Sequence, residues 1–305
     1  MDAQLSLGPL LFHWPVDKWR DFYGRIGDGA PVNTVYLGEV VCAKRAPFYT
    51  KHYEEVAGRL TRGGKKVIFS TLAEVTVKHD RATVADLCAL EDVLVEANDM
   101  SALRVLRNRP HTVGSYLNVY NESAMKLLAS RGATHFCRPH DRPAEAIATL
   151  AAFAKKIGVT LETQVYGRLP LALSARCYHA RALGRIKDNC QYACEQDSNG
   201  MELKTLTGQK FLVINGIQTL SQGCLNLAHA LPELRKMGIS TFRLSPQDTD
   251  MVKVAEIFSS LLKKRSNADE ATRQLESLWP EAGFINGFYH HQAGHEWVKQ
   301  AAGKQ

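Results

Sequence analysis

An alternation between two kinds of segment constrains this chain more than any other feature. Short β-branched or apolar runs occur at 5–11, 33–38, 65–71, 93–97, 111–118, 134–139, 160–167 and 241–246, which reads as about eight strands. Between most of them lie stretches with apolar residues at helical spacing, such as 46–60, 122–132 and 144–158. Strands that alternate with helices are joined by crossovers and therefore run parallel. Gly63, Gly132, Gly158 and Gly238 each close a helical stretch just ahead of a strand, where a glycine helix stop is expected. The count predicts an α/β fold, a closed (β/α)8 TIM-like barrel rather than an open sheet. The length of 305 residues accommodates it as a single barrel-like domain over 1–305. One connection is out of proportion. Residues 168–238 separate the seventh strand from the eighth and form an insertion on the loop side, with a hairpin expected over 200–216 around a Thr-Gly turn.

Seven cysteines are distributed over this frame. Parallel strands deliver their C-terminal loops to one rim, so Cys42, just after the second strand, is expected beside everything that follows the seventh. Cys177, Cys190 and Cys194 lie in the insertion, giving the spacing C-x134-C-x12-C-x3-C. Free thiols gathered in an arginine-rich loop would be reactive, and ligation suppresses that reactivity. Structural zinc favours C-x2-C knuckles, which are absent, whereas an iron–sulfur cubane takes four thiolates from dispersed positions; the spacing favours the cubane and leaves zinc as the alternative. Arg176, Arg181 and Arg185 are placed to offset thiolate charge. Cys88 falls among apolar helix positions, Cys224 reads as the start of a helix, and both behave as small buried hydrophobes. Cys137, near a strand end, is the reserve ligand. His291 and His295 have metal-pair spacing but no third ligand nearby, and read as a solvated C-terminal segment.

Other features narrow the function. Lys and Arg number 38 against 31 Asp and Glu, a net charge of +7 that suits an anionic partner. The basic groups are dispersed, without the clustered basics and aromatics of a nucleic-acid surface. No G-x-G-x-x-G, Walker or G-x-S-x-G pattern occurs, so nucleotide binding and serine hydrolysis lack local support. The N-terminal stretch has no basic leader, and Gly8, Pro9 and Pro15 interrupt its apolar run well short of a membrane span; the expectation is a cytoplasmic protein with no transmembrane segment.

Six stretches, "SLGPLLFHWP", "VYLGEVVCAKR", "GRLPLALSARCYHAR", "CQYAC", "VINGIQTLS" and "RLSPQDTD", resemble the collagenase-like peptidase family, in particular its branch serving ubiquinone biosynthesis. The resemblance spans residues 6–250. It implies a cytoplasmic 4Fe-4S protein that pairs with a homologous UbiU-type subunit as a heterodimer. The implied role is the iron–sulfur subunit of an O2-independent hydroxylase, an oxidoreductase that hydroxylates the ring of a polyprenyl phenol under anaerobic conditions, with prephenate as oxygen donor. The lipid would arrive through the partner, a lipid-carrier protein or a deep apolar pocket. The family's ligands fall on Cys42, Cys177, Cys190 and Cys194, the same four that the loop argument selects. Peptidase members place a His-Gly pair shortly before the first cysteine of their signature; here the region reads "YGRLPLALSARC" and His179 follows Cys177, which speaks against proteolysis. Some relatives hydroxylate RNA bases, and the +7 charge keeps that alternative open. Arg138, His140, Gln164, Tyr166 and Gln247, all at strand ends, are expected to line a pocket for the anionic donor. No catalytic residue is assigned.

Overall fold

The structure is a computed structural model, and it describes residues 3–299. Among these residues there are twelve strands: β1 (Gln4–Leu7), β2 (Thr34–Leu37), β3 (Lys66–Ser70), β4 (Val95–Ala97), β5 (His111–Val113), β6 (Ala133–Cys137), β7 (Thr160–Leu173), β8 (Met201–Lys204), β9 (Lys210–Asn215), β10 (Gln218–Asn226), β11 (Thr241–Leu244) and β12 (Phe284–Ile285). Strands β1 to β7 pair in sequence order, each parallel to the next. Strand β11 pairs in parallel with both β7 and β1, which closes an eight-stranded barrel. These are the eight strands that the alternation predicts.

Helices cover the outer face, among them Val16–Gly29, Tyr53–Arg62, Ala144–Ile157 and Met251–Leu262. Strand parity divides the side chains. Leu5, Leu7, Val35, Leu37 and Phe242 join the main apolar core, while Ser6, Tyr36, Ser70, Glu96, Glu162 and Arg243 meet one another inside the barrel. A run such as 5–11 reads longer than its four-residue strand because Leu10, Leu11, Phe12 and Trp14 remain buried on the rim after pairing has ended.

Strand β7 does two jobs. Its first part belongs to the barrel; beyond Gly167 it leaves the ring and pairs antiparallel with β10, to which β9 and then β8 are added. At the bend Gly167 has φ +105°, and a Cβ there would lie 2.6 Å from Ser245, so the turn requires glycine. The expected hairpin is β8–β9, closed by Thr205–Gln209 with Gly208 at φ +85°. Cys224 lies within β10 and does not begin a helix. The insertion is fastened to the barrel where Trp14 Nε1 donates to Ser198 O (2.7 Å) and the Asp248 amide donates to Asn199 Oδ1 (2.7 Å).

Candidate cysteine site at the barrel rim

Cys42 occupies the loop after β2, immediately before a 3-10 turn at Ala43–Arg45. The buried Glu39 carboxylate accepts hydrogen bonds from the Val41 and Cys42 amides (2.8 and 2.9 Å), which fixes the loop that presents the thiol. From the insertion, Cys177 caps the short helix Tyr178–Ala182, its sulfur accepting from the Ala180 amide at 3.4 Å. Cys190 follows a 3-10 turn at Lys187–Asn189, and Cys194 lies within another at Ala193–Gln196. Lys44 joins the two segments by donating to the carbonyls of Lys187 (2.9 Å) and Asp188 (2.8 Å).

Cys177 is buried in a small apolar cluster with Leu11, Val40, Val41, Ala180 and Ile217, against which Cys42, Cys190, Tyr116 and Leu173 pack. The Arg45 guanidinium, 1% exposed, lies beside the Cys194 thiol and close enough to Cys42 to act on it. Its Nη1 donates to Leu11 O and its Nη2 to Asn215 Oδ1, both at 2.9 Å, and its Nε has no partner. Burial pushes the Cys194 and Cys42 thiols up, and Arg45 pulls them back only in part. Of the four cysteines selected from the sequence, Cys42, Cys177 and Cys190 meet in one apolar cluster at the rim, and Cys42 and Cys194 lie near the buried Arg45. Among the described residues, no group of three or more His, Cys, Asp or Glu side chains is gathered tightly enough to hold a single metal ion.

A cleft of about 300 Å³ adjoins this site over the ends of β5, β6 and β7. Tyr116 and Leu173 belong to both the cleft wall and the cysteine cluster. A buried hydrogen-bond line connects the two: Gln218 Nε2 donates to Tyr116 Oη (2.6 Å), Asn215 Nδ2 donates to Gln218 Oε1 (3.3 Å), and Arg45 donates to Asn215. Of the five rim residues expected to form a pocket, only His140 lines this cleft. Arg138 is buried on Thr163 and Pro139, Gln164 donates to Arg168 O, Gln247 to Ser245 O, and Tyr166 packs outward against Phe258.

The model of peptidase family U32 matches residues 21–299. The chain belongs to peptidase family U32. Solved structures with a similar trace include an uncharacterized B. cereus protein (10% identity, TM-score 0.42, covering 80% of this chain and 61% of that one). Another is a GH138 enzyme targeting pectin rhamnogalacturonan II (8% identity, TM-score 0.40, 81% and 35% covered). The chain spans less than two thirds of either.

Within this U32 chain, the remaining cysteines lie elsewhere. Cys88 and Cys224 are in the main core, and burial pushes their thiols up to about 11 and about 12. Cys137, the reserve ligand, faces the barrel interior, where burial likewise pushes it up against the pull of Arg243. The arginines expected to balance the thiols do not: Arg176 and Arg181 are exposed and Arg185 donates to Cys190 O (3.3 Å). Arg45 holds that position. His291 lies beyond a 3-10 turn in a left-handed conformation, paired with Glu145 at 2.7 Å. Arg45, Glu39, Asn215 and Gln218 escaped the sequence reading although each sits inside a quoted stretch, "GEVVCAKR" or "VINGIQTLS"; a polar residue beside buried apolar ones was the available signal. No helix among the described residues is long and apolar enough to cross a membrane.

Proposed function

We propose that this U32 protein is a UbiV-type iron–sulfur subunit of an oxygen-independent hydroxylase in ubiquinone biosynthesis, working as a heterodimer with a UbiU-type subunit. The observation that supports it is the meeting of Cys42, from a barrel loop, with Cys177 and Cys190, from the insertion, in one apolar cluster, and the place of Cys194 beside the buried Arg45. The donor set suits a cluster. Four thiolates carry negative charge into a site whose nearest fully buried cation is bonded only to neutral oxygens, so that charge is met there. Cys42, Cys177, Cys190 and Cys194 would hold the group, and a 4Fe-4S cluster supplies one-electron redox capacity when bound.

The chain's own residues do the rest. Glu39 orients the Cys42 loop, Leu11, Val40 and Ile217 bury Cys177, and Arg45 offsets charge at Cys42 and Cys194. The departure from the His-Gly signature removes support for proteolysis in this chain. Protein purified without oxygen should be brown and hold about four iron and four sulfide per chain. Alanine at any of the four cysteines should bleach it, while Cys88→Ala and Cys224→Ala should not. Colourless protein with stoichiometric zinc overturns the cluster. A deletion strain should lose ubiquinone only in anaerobic growth; normal anaerobic quinone with an unhydroxylated RNA base would select the RNA-hydroxylase alternative.

A further inference from the structure

Basic groups that look dispersed along the chain gather in space. In a parallel barrel the segments leading into the strands share one end, so 105–111, 129–134, 155–160 and 235–241, which lead into β5, β6, β7 and β11, lie together at the end opposite the cysteine rim. These four strands are neighbours in the ring. The helix Met251–Leu262 returns to the same end and adds residues 262–267. The five segments hold ten lysines and arginines and no aspartate or glutamate. Since the whole chain carries +7, the rest of it is left with more acid than base. Ion pairs of lysine and arginine lie elsewhere, and among the described residues none of the ten is in one. Helix ends explain part of this. A cation in a last turn complements the helix dipole, which accounts for Lys155, Lys156, Arg235 and Lys236. Arg107, Arg131 and Lys264 stand beyond the last helical residue, exposed, where that account does not reach.

Between these cations lie two apolar hollows. One, of about 430 Å³, is lined by Ala228, Leu231, Leu261 and Leu262 together with Arg235, Lys236 and Lys264. The other, of about 400 Å³, sets Ala151, Ala154, Val159 and Ile239 beside Lys155 and Arg235. Arg235 belongs to both. We propose that this end of the barrel docks on an anionic phospholipid bilayer, with headgroup phosphates on the cations and the upper part of the acyl chains against the hollows. Nucleic acid would use the charge but not the aliphatic floors, and it would stack its bases on aromatic side chains; neither the five segments nor the linings of the hollows contain Phe, Tyr or Trp. Docked this way, the protein turns its cysteine rim away from the bilayer.

The test is cosedimentation of the full chain with vesicles of phosphatidylcholine alone and of phosphatidylcholine with about one third phosphatidylglycerol. Binding should require the anionic lipid and weaken as salt rises. Each cation at such a surface is worth about fivefold in partition, so Arg235→Gln with Lys264→Gln should weaken binding about 25-fold. Lys51→Gln with Lys78→Gln removes the same charge at the other end, where the outer helices begin, and should leave binding within about twofold. Ala268→Gln, half-buried on the wall of the larger hollow, changes no charge and should also weaken binding. Equal binding to neutral vesicles, equal loss in the two double variants, or binding indifferent to Ala268→Gln overturns the proposal. So does tighter binding to a single-stranded RNA of about 20 nucleotides at the same salt, which would assign the face to nucleic acid.

Discussion

Two buried arginines, one inside the barrel and one at its rim, are treated in opposite ways. Arg243 Nη2 sits 2.7 Å from both Glu96 and Glu162, and its guanidinium lies 3.9 Å over the Tyr36 ring. Those carboxylates are in turn bonded by Ser70, Asn98, Tyr36, His135 and Ser6. Arg45 is as deeply buried, yet it bonds only to a backbone carbonyl and an amide oxygen, and Glu39 spends its carboxylate on two backbone amides instead. Each arginine leaves its Nε unpartnered, so the difference lies in the anions. Inside the barrel the counter-charge is built into the strands. At the rim the Glu39 carboxylate acts on the cation without bonding it, and the groups beside it are thiols, which carry negative charge only when deprotonated or ligated. The first arrangement holds the strands together; the second, on the proposed function, is where thiolate charge would be met.

Removing the cation should separate the two sharply. Arg243→Met leaves two carboxylates buried without it, a type of change that costs about 3–5 kcal/mol, and the loss should appear in urea unfolding. Adding Glu96→Gln and Glu162→Gln should restore part of it. Arg45→Met strips no carboxylate of a hydrogen-bond partner, so about 1–3 kcal/mol is expected, together with a steep drop in iron retained after anaerobic purification. A larger stability loss at Arg45 than at Arg243 would break the distinction between a structural lumen and a functional rim.

The same contrast explains what could be read beforehand. The eight barrel strands were legible because strand and helix periods alternate along the chain, and the four rim cysteines because loop position follows from parallel strands. The interior network was hidden in plain sight: Glu96, Glu162 and Arg243 each stand at an inward position of an apolar strand, but their partnership exists only once β11 closes the ring. Facing at strand ends was also beyond the pattern. The register of β7 against β11 slips between Arg243 and Leu244, so that Gln164 and Tyr166 are successive partners across a bulge at Val165. That slip turns Tyr166 outward onto Phe258. Cys224 was misplaced because Gly223 precedes it; β10 continues through that glycine, where a Cβ would lie 2.4 Å from Ile285.

Acid should act on the two regions in different ranges. Burial pushes the Glu162 carboxyl up, but Arg243 and His135 together bring it well below the usual carboxylate range. Its contribution is present above the unfolded value of about 4.3 and is lost only as pH falls from there through the folded value, so it adds no slope between pH 7 and 5. His13 behaves otherwise: burial first, and then Arg45, lower it to about 4. The unfolded imidazole protonates near 6.5, so stability is complete above that and declines as pH falls toward 4, by about 2 kcal/mol at pH 5. Urea midpoints at pH 7 and 5 should differ by this loss and by that of His140, which burial likewise lowers, to about 3, and His13→Gln should remove only the His13 part of the difference. An unchanged slope in that variant would move the acid sensitivity away from the rim.

The smallest effect asks how tightly the rim arginine is held. Gly216, in the β9–β10 turn, has φ +63°, and a Cβ there would lie 2.7 Å from Arg45 Nη2. Gly208, in the β8–β9 turn, has φ +85° with nothing within 4 Å. Alanine at either position meets the left-handed backbone strain, about 1 kcal/mol; only at 216 must it also displace a guanidinium pinned by Leu11 and Asn215. Gly216→Ala should therefore lower the unfolding midpoint more than Gly208→Ala, and it alone should reduce iron retention. The difference between the two isolates the contact from the backbone term, since both sit in hairpin turns of the same sheet. Equal losses with iron unaffected would mean that Arg45 shifts freely, which a cation positioned for the thiols should not do.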